Sequence, residues 1–289
     1  MKHIKVSRKR TTLSVKLQFD PSQLNTPYIR DAMPAYAPHD LPFDRIEAFL
    51  EGQVMVIDKP LTWTSFDVVN KLRYALRGFT GIKKIKVGHA GTLDPLATGV
   101  LVVCCGRATK TIDNLQAQAK VYTATIRLGA HTPSLDAETE VDRWAEDPSR
   151  VQSITENDVR LETAKLTGEL EQHPPLYSAK KVDGVRAYRA ARKGSEIALR
   201  TSLIKVTSFE VMSASHLEVE GHPVLDVDVI IHCSKGTYIR SLGRDLGKAL
   251  GVGGTLTALR RISSGEFHVD QAWQVEDLVA RLNHPDTKA

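Results

Sequence analysis

The sequence has few cysteines and no long apolar run. Its three cysteines include the adjacent pair Cys104 and Cys105, and they offer neither a disulfide framework nor the C-x-x-C spacing of zinc and redox sites. We interpret Cys233, alone in an apolar strand, as a buried thiol, so a reducing cytoplasm fits best. No stretch approaches the roughly 20 apolar residues of a membrane helix, and the basic N-terminus lacks the apolar core of a secretory signal. We therefore expect a globular, cytoplasmic protein that makes no membrane contact.

The chain also lacks the common nucleotide-binding and hydrolase motifs. The glycine-rich stretch 88–99 does not end in the Gly-Lys-Ser/Thr of a phosphate-binding loop and does not match G-x-G-x-x-G. There is no G-x-S-x-G elbow for a serine nucleophile. His89 has no histidine, cysteine or carboxylate partner at metal-ligand spacing. We therefore predict no metal site.

Acidic residues are scarce in three segments. Residues 68–110 carry eight bases and one acid, Asp94, while 180–193 and 235–261 each carry six bases against one acid. The compensating acids crowd into 134–171, with eleven against four bases. Any one basic cluster fits an ordinary solvated helix face. The three together favour a protein that presents a basic face to a polyanion such as a nucleic acid.

Residues 1–48 differ in composition from the rest of the chain. Five bases and no acid stand in the first ten residues, and five prolines lie between Pro21 and Pro42, which argues against regular elements there. We interpret this region as a basic, proline-rich extension of a domain that begins near residue 49. In that domain helices and strands are intermixed without regular βαβ alternation. This predicts an α+β fold with a mixed, mainly antiparallel sheet flanked by helices.

Local patterns predict where the elements fall. Thr64 and Asp67 resemble a capping box, and the apolar spacing that follows predicts a helix from Ser65 to about Arg77, ended by Gly78. Helical spacing also predicts helices over 153–167, 237–250 and 269–282. Apolar runs or alternation predict strands over 54–57, 100–105, 121–128 and 225–231.

The densest cluster of chemically useful residues runs from Gly88 to Leu101. Gly88, Gly91 and Gly99 permit close backbone approach or a positive φ. Asp94 is the only acid in the most basic stretch of the chain. A carboxylate there either belongs to an active site or caps a helix, because Asp followed by Pro is an ordinary pair at the first positions of a helix. Local spacing leaves both interpretations open with equal weight.

These residues resemble the signature loop of the TruB family of tRNA pseudouridine synthases. The resemblance runs from Val54 to Gly265, and the family's other motifs follow in the expected order. They are Asp58-Lys59-Pro60 with Thr64-Ser65; Arg107-Ala108-Thr109-Lys110; Lys120-Val121-Tyr122; Leu128-Gly129 with Thr132 and Asp136; Gln172 to Ala179 with Lys181, Gly184, Tyr188, Ala191 and Arg192; Lys235 to Leu242; and Leu259-Arg260-Arg261 with Ser264-Gly265.

The resemblance implies a pseudouridine-synthase fold with a basic RNA-binding cleft, and it implies a reaction. One uridine in the T-arm of tRNA, at position 55, leaves its stack, its glycosidic bond breaks, and the uracil rotates so that C5 rejoins the ribose C1′. This isomerisation is redox-neutral and needs no metal or cofactor. Two alternatives stay open: the same chemistry on another RNA, and an RNA-binding or RNA-folding chaperone with a secondary isomerase activity.

Four catalytic residues are implied by the resemblance. Asp94 is the carboxylate, acting as nucleophile at C1′ or as base, and Arg240 pairs with it and keeps it ionised by lowering its pKa. Tyr122 stacks on the flipped base, and Tyr238 contacts the base and attends to the C5 proton. Without the family, Tyr122 fits a sheet-core aromatic, and Tyr238 and Arg240 fit the first turn of a helix.

Six further residues are implied to bind substrate. Leu259 packs on the uracil, and His89 lies near the flipped nucleotides, although a lone histidine in a glycine-rich turn is also an ordinary turn residue. Basic residues of the family motifs complete the set: Lys59, Lys110, Lys181 and Arg192. Residues 172–200 correspond to a mobile family segment that closes over RNA, though a plain solvated loop has the same composition.

The sequence departs from the family pattern at two turns and at its C-terminal end. The usual glycines are replaced by Thr62 and Thr139, which concerns turns and not chemistry. The catalytic domain is expected to span 49–265. Residues 266–289 predict one short helix and are too few for the full RNA-binding (PUA-type) domain of many relatives. We therefore expect the catalytic domain to bind the RNA, assisted by the basic N-terminal tail. We also expect the protein to be a monomer.

Overall fold

The computed structural model describes residues 41–177, 181–182, 185–186 and 200–285. These residues belong to one compact unit that spans residues 36–289. Most of the expected N-terminal extension, and much of the segment 172–200, lie outside the described residues. No helix in the described part of the chain is long and apolar enough to cross a membrane.

Helices and strands are intermixed along the described chain. The helices are α1 (Ile46–Glu51), α2 (Ser65–Thr80), α3 (Ile112–Ala117), α4 (Pro148–Ser153), α5 (Glu156–Lys165), α6 (Ile239–Leu250) and α7 (Val275–Asn283), with 3₁₀ turns at Gly106–Thr111 and Val269–Gln271. The strands are β1 (Val54–Lys59), β2 (Val87–His89), β3 (Ala97–Cys105), β4 (Lys120–Leu128), β5 (Ala130–His131), β6 (Arg143–Trp144), β7 (Gly168–Gln172), β8 (Lys181–Val182), β9 (Val185–Arg186), β10 (Ser202–Val219), β11 (His222–Cys233), β12 (Gly254–Ser264), β13 (Phe267–His268) and β14 (Trp273–Gln274).

One ten-stranded sheet organises the described residues. Its order is β14-β1-β3-β12-β4-β11-β10-β7, with β2 paired to β3 and β13 paired to β12. The pairs β1–β14 and β3–β12 are parallel, and the other seven are antiparallel. The predicted α+β fold with a mixed, mainly antiparallel sheet flanked by helices is confirmed.

Two main apolar clusters lie against this sheet. Side chains of β1 and β3 pack with α1, α2 and α7, including Leu41 and Phe43 from the chain just before α1. The other cluster joins β4, β10, β11 and β12 to α4, α5 and α6. Strands β3 and β12 are paired side by side between the two clusters. Residues where these strands meet are therefore held by packing against both clusters.

Helix α2 begins as predicted and ends later. Thr64 and Asp67 form the expected capping box, with each side chain bonded to the other residue's backbone N–H. The prediction that Gly78 ends the helix is wrong, since α2 continues to Thr80 and ends at Gly81, which has φ +69°. An exposed glycine inside a helix costs only about 1 kcal/mol, and the buried Thr80 extends the packed face for one more turn.

Two other predicted helices are divided differently. The segment 153–167 is not one helix, because Thr155 adopts extended backbone and caps α5 through a second capping box with Asp158. The segment 269–282 begins with a 3₁₀ turn and the short strand β14, and only then forms α7. In both cases a tertiary or capping contact interrupts an apolar spacing that by itself looks continuous.

Candidate active site

Asp94 lies in the loop between β2 and β3. No helix follows it: Pro95 occupies a turn closed by a 3.1 Å hydrogen bond from the Ala97 N–H to the Asp94 carbonyl, and β3 then begins at Ala97. The interpretation of Asp94 as a helix cap is therefore wrong, and its side chain does not serve to cap a helix. The carboxylate keeps 39% of its surface exposed, so it remains accessible from solvent.

Ser65, the first residue of α2, holds the backbone next to Asp94. Its buried hydroxyl donates to the Leu93 carbonyl over 3.0 Å and accepts from the Leu93 N–H over 2.8 Å. One side chain thus satisfies both polar groups of the preceding peptide units, which would otherwise be buried without partners. The start of α2 therefore sets the position of the loop that carries Asp94.

Lys59 holds the other side of the same loop. Its ammonium donates to the carbonyls of Pro60, Trp63 and Pro95 at 2.8, 2.6 and 3.2 Å. The residue is fully buried, and this burial lowers the pKa of the amine to about 8, although Asp94 acts in the opposite direction. Lys59 was expected to bind substrate. The structure instead gives it a positioning role, because its side chain is closed to solvent and its three protons are used.

Thr62 adds a backbone contact to this arrangement. Its N–H donates to the Pro95 carbonyl over 2.8 Å, and its φ is +72°. This is the position where the family usually has glycine, and a β-branched residue is strained in the left-handed region. The turn is nevertheless formed, so the substitution changes backbone strain and leaves the support of the loop intact.

Arg240 connects the loop of Asp94 to the other half of the sheet. Its Nη2 lies 2.9 Å from Asp94 Oδ2 and its Nη1 lies 3.4 Å from Asp136 Oδ2. The guanidinium also donates to the carbonyls of Ser134, at 2.9 Å, and Tyr177, at 2.7 Å. With only 4% of its side chain exposed, Arg240 is fixed by partners on every side and can hold Asp94 in one orientation.

The pKa of Asp94 is raised above its usual value of 3.8. Burial is the largest cause, and the carboxylates of Asp136 and Glu138 add to it, while Arg240 and Lys59 lower the pKa. The sequence led us to expect a lowered pKa from Arg240 alone. That contribution has the expected direction, but desolvation and two neighbouring acids outweigh it.

Tyr122 and Leu259 lie on adjacent strands beside Asp94. Leu259 of β12 is paired with Ala97 of β3 on one side and with Ala124 of β4 on the other. A register shift between Leu256 and Ala258 turns both Leu256 and Leu259 to the same face of the sheet. Simple alternation along β12 would have placed Leu259 on the opposite face, so this bulge delivers the leucine to the site.

Arg261 is a residue of the site to which sequence reasoning assigned no role. Its guanidinium donates to the Val100 carbonyl at 2.6 Å and to the Gly91 carbonyl at 3.1 Å, and it is 1% exposed. Arg261 is paired with Tyr122 across β12 and β4, and its charge opposes the rise in the pKa of Tyr122 that burial causes. Arg261 therefore ties the signature loop to β3 beside the tyrosine. Its place in the Leu-Arg-Arg motif was the available signal.

Gln172 positions the start of α6, and it too was only part of a motif. Its side-chain amide donates to the Tyr238 carbonyl over 3.0 Å and accepts from the Tyr238 N–H over 2.8 Å. The hydroxyl of Ser241 holds the next residue of the same loop, His173, through its carbonyl. The loop that follows β7 is thereby fastened to the turn carrying Tyr238 and Arg240.

Asp94, Tyr122, Tyr238, Arg240 and Leu259 all line one open cleft of about 730 Å³. Four basic and two acidic residues stand in its wall, and they are Lys120, Lys235, Arg240 and Arg261 against Asp94 and Asp113. The structure thus brings together all four residues predicted to be catalytic, and one of the six predicted to bind substrate.

The remaining predicted substrate contacts lie elsewhere or outside the described side chains. His89, in β2, is half-buried; its pKa is lowered by burial and then by Arg261, and its Nδ1 has no hydrogen-bond partner among the described residues. Lys110 is exposed in the 3₁₀ turn after β3 and does not line the cleft. The side chain of Lys181, and Arg192 altogether, lie outside the described part of the chain.

Two family models match this chain. "TruB family pseudouridylate synthase (N terminal domain)" matches residues 77–239, and "tRNA pseudouridylate synthase B C-terminal domain" matches residues 240–288. Curated relatives agree. The tRNA pseudouridine synthase B of Parabacteroides distasonis is 48% identical over 230 residues, covering 80% of this chain and 93% of the relative. That of Phocaeicola vulgatus is 46% identical over 238 residues, covering 82% and 96%.

Solved structures are similar as well. A chain in the crystal structure of a Cbf5-Nop10-Gar1 complex is 29% identical, with a TM-score of 0.59, and the match covers 90% of this chain and 64% of that one. A chain of an H/ACA RNP bound to a substrate RNA containing 2′-deoxyuridine is 28% identical, with a TM-score of 0.55, covering 87% and 60%. This chain therefore spans less than two thirds of either structural neighbour. By sequence, motif order and fold, it belongs to the TruB family of pseudouridylate synthases.

Proposed function

We propose that the protein isomerises one uridine of tRNA to pseudouridine. The observation that carries the proposal is the 2.9 Å ion pair between Asp94 and Arg240, in the same cleft as Tyr122, Tyr238 and Leu259. A uridine flipped out of its stack can enter a cleft of about 730 Å³, with its ring between Tyr122 and Leu259 and its sugar toward the carboxylate. Membership of the TruB family and the relatives' names support the same reaction.

Each residue of the cleft then has a distinct part in the reaction. Asp94 must be ionised to attack C1′ or to remove a proton from the sugar, and Arg240 favours that ionised form. Arg240 also fixes the direction of the carboxylate through its bonds to Ser134 and Tyr177. Tyr238 stands beside Arg240 at the cleft wall, where its ring can contact the detached uracil. The reaction is redox-neutral, so these groups suffice without a cofactor.

The proposed substrate is the T-arm of tRNA, at position 55. Lys235 is exposed in the cleft wall and is free to contact a phosphate there, and we extend this to a basic RNA-binding cleft. The three cysteines are free and buried, which fits a cytoplasmic enzyme. We propose that the protein acts there as a monomer.

The proposal is tested with Asp94→Asn and a matched control. This change removes the charge and keeps the shape, so pseudouridine formation should fall by at least about 10³-fold while tRNA binding survives. Asp113→Asn makes the same chemical change in the wall of the same cleft, and it should retain activity. Normal turnover by Asp94→Asn would refute the mechanism.

The identity of the RNA needs a separate measurement. Pseudouridines are mapped across all RNAs of cells with and without the gene. Loss of one T-arm pseudouridine supports the proposed substrate, and loss at another RNA would replace it. If Asp94→Asn restored growth of the deletion strain without restoring the modification, an RNA-folding role would be the main function.

A further inference from the structure

Helix α2 presents an exposed face that the proposed reaction does not use. Phe66, Asn70, Tyr74 and Arg77 recur at intervals of three or four residues, opposite the buried positions of the helix. Phe66 is 62% exposed and Tyr74 is 79% exposed. Aromatic side chains are rarely left so open on a helix whose apolar side is already packed. This face is therefore a candidate interaction surface.

Basic residues continue the surface beyond the end of α2. Lys83, Lys84 and Lys86 are all exposed, as are Lys71 and Arg77 on the helix. No acid occurs from Val68 to Leu93, and within the described residues none of these five bases is in an ion pair. We call this set, with Phe66 and Tyr74, the α2 surface.

The α2 surface is fixed to its surroundings at two places. At the start of α2, Ser65 is bonded to Leu93, next to Asp94. Farther along, Arg73 donates to the carbonyl of Val87 over 3.0 Å, and the Gly106 N–H donates to the Lys86 carbonyl over 3.0 Å, so Lys86 lies between the middle of α2 and the 3₁₀ turn that carries Lys110. The 16 residues of α2 span about 24 Å.

We propose that the α2 surface binds the backbone of the substrate RNA stem that leads away from the flipped uridine. The inference rests on the proposed function and adds a second contact region to it. The five exposed bases outnumber the single exposed acid of α2, Asp67, which fits a polyanion, and the length of α2 suits a helical stem. A membrane surface fits poorly, since the apolar face of α2 is buried in the protein. Phe66 lies at the end near Asp94, where it can contact unpaired bases of the loop.

The test uses salt dependence, because each lost phosphate contact reduces the slope of log binding constant against log salt by about 0.9. We compare Lys83→Ser/Lys84→Ser/Lys86→Ser with Lys71→Ser/Arg77→Ser and with the wild type. The matched control removes three exposed bases elsewhere: Arg143→Ser/Arg150→Ser/Lys248→Ser. Affinities are measured for a full tRNA transcript and for a T-arm hairpin shortened to its last few closing pairs.

The triple variant in the α2 surface should lower the slope for full tRNA by about 2 to 3, and the double variant by about 1 to 2. Both should change the slope for the short hairpin much less, and the control should change neither. Wild-type slopes in both α2 variants, or an equal loss in the control, would overturn the proposal. Pseudouridine formation by the wild type is assayed on the same tRNA, so failure of the proposed function is read separately from failure of the binding surface.

Discussion

One guanidinium serves two carboxylates at the base of the cleft: Arg240 Nη2 lies 2.9 Å from Asp94, and its Nη1 lies 3.4 Å from Asp136. Asp136 raises the pKa of Asp94, while the arginine lowers it. Since burial already raises the pKa of Asp94, the ionised form depends on the balance of these three charges. Charge changes at Asp136 and Arg240 should therefore move the pH dependence of catalysis in opposite directions.

The pH profile of kcat/KM checks this directly. Asp94 acts as an anion, so activity should fall as the pH drops through its raised pKa. Arg240→Gln removes a positive charge, raises that pKa further and should shift the acidic limb to higher pH. Asp136→Asn removes a negative charge and should shift it to lower pH. Profiles are recorded with a buffer series of constant ionic strength.

Both variants should also lower the maximal rate, because one removes the guanidinium that orients Asp94 and the other removes a carboxylate that holds this guanidinium. The direction of the shift, not the loss of rate, is therefore the criterion. If both variants moved the acidic limb the same way, titration of Asp94 would not set it.

Lys59 should matter for folding as well as for catalysis. Lys59→Met keeps much of the volume but leaves the carbonyls of Pro60 and Trp63 without their donor and removes one of the donors to Pro95. Loss of these buried bonds should lower the free energy of unfolding by about 2–4 kcal/mol, and it should reduce kcat more than tRNA affinity. Lys248→Met, at an exposed position, should stay within about 0.5 kcal/mol of the wild type. Urea unfolding gives the free energy of unfolding of both variants. Equal losses of stability in Lys59→Met and Lys248→Met would contradict the positioning role of Lys59.

Gly99 and Gly78 form a matched pair for testing backbone constraints. At Gly99, φ is +97° and an added Cβ would lie within 3 Å of the Arg261 backbone. Gly99→Ala should therefore cost about 3–5 kcal/mol of unfolding free energy, because β3 and β12 must separate. Gly78 lies inside α2 with nothing near its Cβ position, so Gly78→Ala should raise the unfolding free energy by about 0.5–1 kcal/mol. Thermal denaturation distinguishes them, and a neutral Gly99→Ala would show that the strands tolerate separation.

The sequence predicted much of the fold through local signals. The capping box of Thr64 and Asp67, the inward face of β4 and the α+β class follow from spacing and chemistry within short windows. The glycines of the signature loop were recognised as sites of positive φ or close approach, and Gly91 and Gly99 have φ of +107° and +97°. The errors lie where capping or tertiary contacts override apolar spacing, as at Thr155 in the middle of 153–167.

The same distinction between local signals and tertiary contacts applies to the candidate site. The residue types and their motif order identified Asp94, Tyr122, Tyr238, Arg240 and Leu259 as a set, and the structure places all five in one cleft. The sequence could not reveal that Lys59 is buried against three carbonyls, or that Arg261 bonds β3 and the signature loop. Nor could it show that the net shift of the Asp94 pKa is upward.

By itself, then, the sequence determined which residues are present, the family they belong to and the elements that carry them. The tertiary structure decided which of those residues reach the cleft. Parallel pairing of β3 with β12, and the bulge near Ala258, bring Leu259 beside Ala97 across more than 160 residues of chain. Burial, hydrogen-bond satisfaction and the electrostatic balance around Asp94 depend on such distant neighbours, and no local pattern of residues records them.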